Sequence, residues 1–350
     1  MIDPHVHCRD WNQSYKETIK HALHVAERAG LSGIFDMPNT DPAIISRELV
    51  EKRLNDAKKC NSKVFYGLYI GITADKNQIR EAVETWREYF PKSDSKVGVI
   101  GLKMFAGKSV GNLGIIKEDE QRLVYKTLAE QKYPGVLAVH CEKESLMRPE
   151  LFNPENPRTW SFARPPESEY ESVNDQIKFD EESGFEGNLH ICHVSCPESF
   201  EMIREARKKI NITCGVTPHH CSISYKMIPE SGKGLTFKVN PPLRDTGRTN
   251  KLYSLLGAGA IDLIETDHAP HTLKEKLEEP YMSGFPGLHN YPNFIKHLEN
   301  IAGFSHEQIE NLTHKNIESI FNIKIPIFAR KPNLGLHKEY EFNVYKRIKA

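Results

Sequence analysis

Eight short apolar runs, each of strand length, constrain this chain more than any other feature. They lie at residues 2–7, 33–37, 64–70, 97–105, 136–140, 188–193, 212–216 and 261–265. Between most of them stand charged segments with helical spacing, at 15–29, 46–59, 76–89, 119–132, 175–183 and 197–208. Strand–helix alternation repeated eight times predicts an α/β fold, a parallel (β/α)8 TIM barrel. At 350 residues the chain can bury one large core, and barrels of this size are commonly single domains. We expect a barrel catalytic domain over 1–322 and a C-terminal extension over 323–350 that packs on it. Two long polar connections, 142–171 and 222–248, read as functional loops, because connections of that length are uncommon in compact domains.

Composition removes several function classes. The 47 basic residues balance 47 acidic ones, so no basic excess points to nucleic acid. No apolar stretch approaches the length that spans a bilayer. Asp3, His5 and His7 stand where the apolar segment of a signal peptide would be. The seven cysteines are scattered, which suits reduced thiols in a cytoplasm rather than a disulfide framework.

The first run carries His5 and His7, one residue apart. Side chains alternate along a strand, so both imidazoles project from one face and can reach one metal ion. Alone, such a pair is more often two half-buried histidines at a sheet edge. Here further candidates stand at the ends of later runs: Lys103 in the fourth, His140 in the fifth, His193 in the sixth and Asp267 after the eighth. Barrel active sites form at the C-terminal ends of the strands, where these side chains would converge. Imidazole and carboxylate suit divalent zinc or a similar ion. Six groups exceed the needs of one catalytic zinc with an open position and suffice for two ions that share a bridge. Lys103 has two readings. It either lines the barrel paired with an acid, or its amine adds carbon dioxide to give an anionic carbamate able to bridge two cations. Cys8, Cys141, Cys192 and Cys196 sit beside these positions and read as small core residues.

The motifs DPHVHCRD, DMPNT (36–40), GLKMFAGKSVGNLGI, VHCEKE, ARPPESE (163–169), HVSC, VTPHH, NPPLR (240–244), ETDHAPH and GFPGL occur in that order through about residue 288. With them the chain resembles the dihydroorotases, within the amidohydrolase superfamily of metal-dependent cyclic amide hydrolases. The resemblance implies the barrel of the metal-dependent hydrolases and a binuclear centre of two divalent ions, zinc being the ion expected. His5, His7 and Asp267 would hold one ion and His140 and His193 the other, with N6-carboxylated Lys103 between them. His219 and His220 are rivals for His193, but they match a TPHH signature that follows the ligand-bearing histidine, and His193 has the strand-end position.

The activity implied is the reversible cyclisation of N-carbamoyl-L-aspartate to L-dihydroorotate in de novo pyrimidine synthesis, EC 3.5.2.3, with a hydroxide bridging the metals as nucleophile. Asp267 would act as general base and then general acid. Arg9 would bind the substrate carboxylate with its planar fork of donors, helped by Asn39 and His271, while Asn240 and the backbone near Gly284 would hold the ring amide edge. For Arg9 the bland alternative is a surface ion pair with Asp10. Allantoinases and hydantoinases share the ligands but bind other rings, and a catalytically inactive scaffold of the same lineage is the remaining alternative. A small-molecule substrate, no nucleic acid and no membrane follow for partners, with a homodimer as a possible assembly. Larger relatives carry a β-sandwich flanking the barrel, and here we expect it either reduced to a remnant or trimmed from the chain. At most a remnant stands at 323–350, including Phe328-Ala329-Arg330-Lys331-Pro332, and His289 replaces the Glu or small residue of the common pattern.

Overall fold

The computed structural model describes residues 1–109, 111–327 and 331–347, with Arg347 described by its backbone alone. Eight parallel strands follow one another around a single sheet: β1 Ile2–Val6, β2 Gly33–Asp36, β3 Phe65–Gly71, β4 Val97–Ala106, β5 Val136–Cys141, β6 Asn188–Ile191, β7 Ile212–Val216 and β8 Leu263–Ile264. Every strand pairs with its sequence neighbour in parallel register, for example Lys103 beside Ala138 and His190 beside Thr213. The ring is a nearly closed barrel. Between β1 and β8 closure rests on a single bridge at Val6 and His268, where the His7 N–H donates to the His268 carbonyl at 2.7 Å. The Asp3 carboxylate adds to this seam by accepting from the Thr266 N–H and hydroxyl.

The outer ring consists of α1 Ile19–Arg28, α2 Arg47–Lys59, α3 Lys76–Tyr89, α4 Glu118–Glu130, α5 Pro166–Ser183, α6 Pro197–Ala206, α7 Thr246–Gly257 and α8 Tyr291–Asn300. Local chemistry sets several starts. The side chains of Thr18, Ser46, Asp75 and Asp245 accept from backbone N–H groups of the first turns of α1, α2, α3 and α7. Helix faces bury Leu23, Leu54, Val83, Leu128 and Ile203 against outward strand residues such as Ile34, Leu68 and Leu102. The floor of the barrel is a separate apolar cluster. Phe35, Tyr69, Ile100 and Ala138 fill it, and Phe321 caps it from the helix Asn316–Phe321. This plug leaves the opposite, C-terminal mouth for polar side chains.

The structure corrects some expected boundaries. The eighth run is a strand only at Leu263–Ile264, and the first helix begins at Ile19, after its cap, rather than at 15. The helix expected over 175–183 starts at Pro166. Its inner face is Ser168, Glu169, Ser172, Val173, Gln176 and Phe179, too polar to show an apolar period. Glu169 earns burial by accepting from the N–H groups of Ser195 and Cys196 at the start of α6. The connections 142–171 and 222–248 are built largely of short helical turns, among them Glu144–Leu146, Pro149–Leu151, Trp160–Ala163, Tyr225–Met227 and Gly232–Phe237.

Of the C-terminal segment, 328–330 and 348–350 lie outside the described residues. The remainder touches the barrel mouth. Tyr340 donates to Glu17, and the Tyr345 hydroxyl lies 3.2 Å from His219 Nδ1. His289 meets the Tyr340 ring at 5.2 Å, which gives the unusual residue a packing role. Among the described residues no helix is long and apolar enough to cross a membrane. All seven cysteines are free thiols.

Candidate metal centre and substrate cleft

His5, His7 and Asp267 converge across the barrel seam. Asp267 Oδ1 is 3.4 Å from His5 Nε2 and 3.1 Å from His7 Nε2, and all three residues are buried. The opposite ring nitrogens are engaged. His5 Nδ1 lies 3.1 Å from Glu265 and His7 Nδ1 lies 2.7 Å from Asn39 Oδ1. Each pairing fixes a tautomer whose Nε2 lone pair faces Asp267.

His140 and His193 form a second pair, with His140 Nδ1 3.1 Å from His193 Nε2. His140 Nε2 donates to Glu142 at 2.9 Å, so its Nδ1 carries a lone pair towards His193. His193 Nδ1 is buried without a partner. The two pairs adjoin, the His5 and His193 ring centres lying 5.1 Å apart. Burial lowers the pKa of all four histidines, His5 to about 4, and so favours neutral imidazole, the form that binds metals. Burial pushes the Asp267 carboxyl up, opposed by His5.

Lys103 is fully buried on β4, and its charge acts on all four imidazoles and on Asp267. Its ammonium donates to the Cys192 thiol at 3.1 Å. Among the described residues it forms no ion pair, so the acid partner of its bland reading is missing from this arrangement. His219 and His220 have partners of their own, and His219 Nε2 is buried without one. His219 Nδ1 contacts Tyr345, while His220 bonds Thr217 at 2.9 Å and the Pro241 carbonyl at 3.0 Å.

The cleft above this cluster is lined by Arg9, Asn39, Phe105, Val239, Asn240 and Gly284, along with the histidines and Asp267. Arg9 is 1% exposed and is no surface partner of Asp10. Its Nε donates to the Pro270 carbonyl and its Nη2 to His271 Nε2 at 3.2 Å, while Nη1 is buried without a partner. Asn240 Oδ1 accepts from Trp160 Nε1. Gly284 has φ +120°, and a Cβ there would lie 2.7 Å from the Ala269 carbonyl oxygen, so only glycine fits.

Several supporting residues were not singled out from sequence. Glu142 sits two positions beyond His140 at the end of β5, so strand alternation places it on the same face, while Glu265 sits two before Asp267 just past β8 and meets His5. Burial alone would raise the Glu142 carboxyl, but Arg164 and His140 hold it well below the carboxylate range. The His190 imidazole 3.9 Å away and the hydrogen bond with His5 overcome burial in the same way at Glu265, which also accepts from the His193 N–H. Gly215 makes room for that carboxylate, since a Cβ would meet Glu265 Oε1 at 2.3 Å. Arg164 and Arg244 come from two of the sequence landmarks but carry no signal of their role. Arg244 reaches the Arg164 carbonyl at 2.6 Å and ties the two long connections together.

No protein-family model matches the chain. It is 30% identical to a dihydroorotase of Methanosphaera stadtmanae over 354 aligned residues, covering 98% of this chain and 74% of the relative. A dihydroorotase of Fusobacterium nucleatum is 31% identical, with 92% of this chain and 72% of the relative covered. Among solved structures, the L-hydantoinase of Arthrobacter aurescens superposes with a TM-score of 0.79 at 21% identity, covering 92% of this chain and 70% of that one. The dihydropyrimidinase of Brevibacillus agri gives 0.76 at 20% identity, with 93% and 72% covered. These structures share the barrel, and the sequence relatives narrow the assignment: the chain belongs to the dihydroorotase family of the amidohydrolase superfamily.

Proposed function

We propose that this chain interconverts N-carbamoyl-L-aspartate and L-dihydroorotate, closing the ring in de novo pyrimidine synthesis. The observation that carries this reading is the unpartnered Nη1 of Arg9, buried in the wall of a cleft beside two groups of metal-ligand side chains. A buried guanidinium nitrogen calls for an anion. Dihydroorotate and its open form both carry a carboxylate outside the reacting amide, whereas hydantoin, dihydrouracil and allantoin rings do not.

The donor set fits two divalent cations, with zinc expected. His5, His7 and Asp267 would hold one, and ligand atoms of these three lie within 4.8 Å of one another. His140 and His193 would hold the other, their facing ring nitrogens lying 3.1 Å apart. N6-carboxylated Lys103 would stand between. Carbon dioxide would add to the neutral amine, which gives up one N–H proton, and the resulting anionic carbamate would suit a place between two cations. When bound, such ions polarise the ring amide carbonyl and render water nucleophilic at neutral pH.

The chain's own residues supply orientation and proton transfer. Arg9, with Asn39 and His271, receives the carboxylate and fixes which ring face meets the cluster. Asn240 and the backbone at Gly284 hold the amide edge. Asp267 takes the proton of the attacking water at a carboxylate oxygen and delivers it to the ring nitrogen as the amide bond breaks, and the reverse order closes the ring. We place the enzyme in the cytoplasm, in keeping with seven unpaired thiols. The test is a spectrophotometric assay of the zinc-loaded chain with L-dihydroorotate, allantoin and dihydrouracil side by side. Turnover of dihydroorotate is expected, and activity on allantoin or dihydrouracil alone would overturn the reading.

A further inference from the structure

One charged side chain near the cleft lies outside every role assigned above. Lys276, on the short helix Leu273–Leu277, is fully buried. An ammonium has three N–H donors, and here they meet three main-chain carbonyls: Lys238 at 2.6 Å, Met282 at 2.8 Å and Gly284 at 2.8 Å. None of the three acceptors is a carboxylate. A charge removed from water without an ionic partner is tolerated only where its hydrogen bonds are complete, as these are.

The carbonyls belong to two separate segments, and both line the cleft. One leads from Lys238 into Val239 and Asn240, and the other runs through Ser283 and Gly284. The Gly284 N–H donates to the same Lys238 carbonyl at 2.9 Å. A second lysine reinforces the join. Lys238 Nζ reaches the Tyr281 carbonyl at 2.5 Å and lies 4.0 Å from the Trp160 ring centre, while Trp160 Nε1 donates to the Val239 carbonyl at 3.0 Å. Neither segment is part of the strand ladder, so these contacts, rather than sheet pairing, set their separation.

We propose that Lys276 is a positioning residue for the substrate: its ammonium clamps the Asn240 segment to the Gly284 segment and so sets the wall that receives the ring amide edge. The inference rests on the contact assigned to that wall under the proposed function. Removing the ammonium leaves the Met282 and Gly284 carbonyls to find other donors, and the two segments, then joined by the bond from the Gly284 N–H to the Lys238 carbonyl and by the Lys238 side chain, loosen against each other. The metal-ligand cluster hangs on other strands and is unaffected.

The experiment compares the zinc-loaded full chain with Lys276→Met and Lys276→Gln, measuring dihydroorotate hydrolysis, metal content and amide hydrogen exchange. KM is expected to rise at least about tenfold with kcat within about threefold, the signature of lost uniform binding. Metal content should be unchanged, and faster exchange should be confined to peptides covering 236–242 and 281–287. A folded variant with KM within about twofold of the parent, or with unchanged exchange in those peptides, overturns the inference. Should neither variant fold, the parent decides. A Gly284 amide protected like those of β4 supports the clamp, and one exchanging like an exposed loop defeats it. A parent chain inactive on dihydroorotate would defeat the proposed function instead, while the exchange comparison would still report on the clamp.

Discussion

Glu265 lies 3.1 Å from Nδ1 of His5, across 260 residues of sequence, and so turns the other ring nitrogen towards Asp267. Carboxylate–imidazole pairs of this kind raise the basicity of a ligand and lock its ring, and their loss typically weakens metal binding about 10–100-fold. Glu265→Gln keeps the shape and removes the charge. We expect zinc affinity to fall within that range in a competition titration with a chelator, with the barrel intact by circular dichroism. Unchanged affinity would reduce Glu265 to a packing element.

Arg9→Met should leave zinc content unaltered and cripple substrate binding. The variant removes the only guanidinium lining the cleft among the described residues, and leaves a substrate carboxylate without its partner. Breaking a buried charge pair costs about 3–5 kcal/mol, or roughly two to four powers of ten in KM. Steady-state kinetics in both directions measure this, and a KM near the parent value would place the carboxylate elsewhere.

Asp267→Asn should abolish turnover in hydrolysis and cyclisation alike. An amide cannot accept the proton at that position and is a poorer ligand. Chromatographic assay of both directions is the check. Substantial residual turnover would remove Asp267 from the proton path.

Acid stability should depend on Glu17. Burial would raise this carboxyl, but hydrogen bonds from His21 and His268 hold it down at about 2, against an ordinary 4.5. A depressed carboxyl contributes stability that is whole above about pH 4.5 and is lost as pH falls through the folded value. The contribution is on the order of 3 kcal/mol at neutral pH. Glu17→Gln should therefore lie below the parent in urea midpoint at pH 6, with the gap narrowing by about pH 3 and closing only below about pH 2. A gap independent of pH would assign the difference to shape rather than charge.

The eight strands were legible because each is an apolar run bounded by polar sequence. Helix α5 was legible only in its last turns, since Ser168, Glu169, Ser172 and Gln176 are buried against hydrogen-bond partners rather than apolar surface. The ligand candidates announced themselves through strand-end position. Glu142 follows from alternation read two residues beyond His140, whereas Glu265 lies past the end of β8, where the strand period stops. Arg164 and Lys276 do not, because their partners are brought close only by folded connections 22 residues or more away for Arg164 with Glu142, and 38 for Lys276 with Lys238. Cys192 looked like an ordinary core thiol, and it is the side chain that accepts the Lys103 ammonium.

The sparse junction between the first and last strands carries a thermodynamic consequence. His5 and His7 stand on one side of it and Asp267 on the other, so any cation they share also laces the two chain-distant edges together. Ligand affinity and resistance to unrolling then become one linked quantity, since whatever binds only the closed form stabilises it. Stripping the ions should be felt first as a loosening at this join, well before the apolar floor beneath Phe321 gives way.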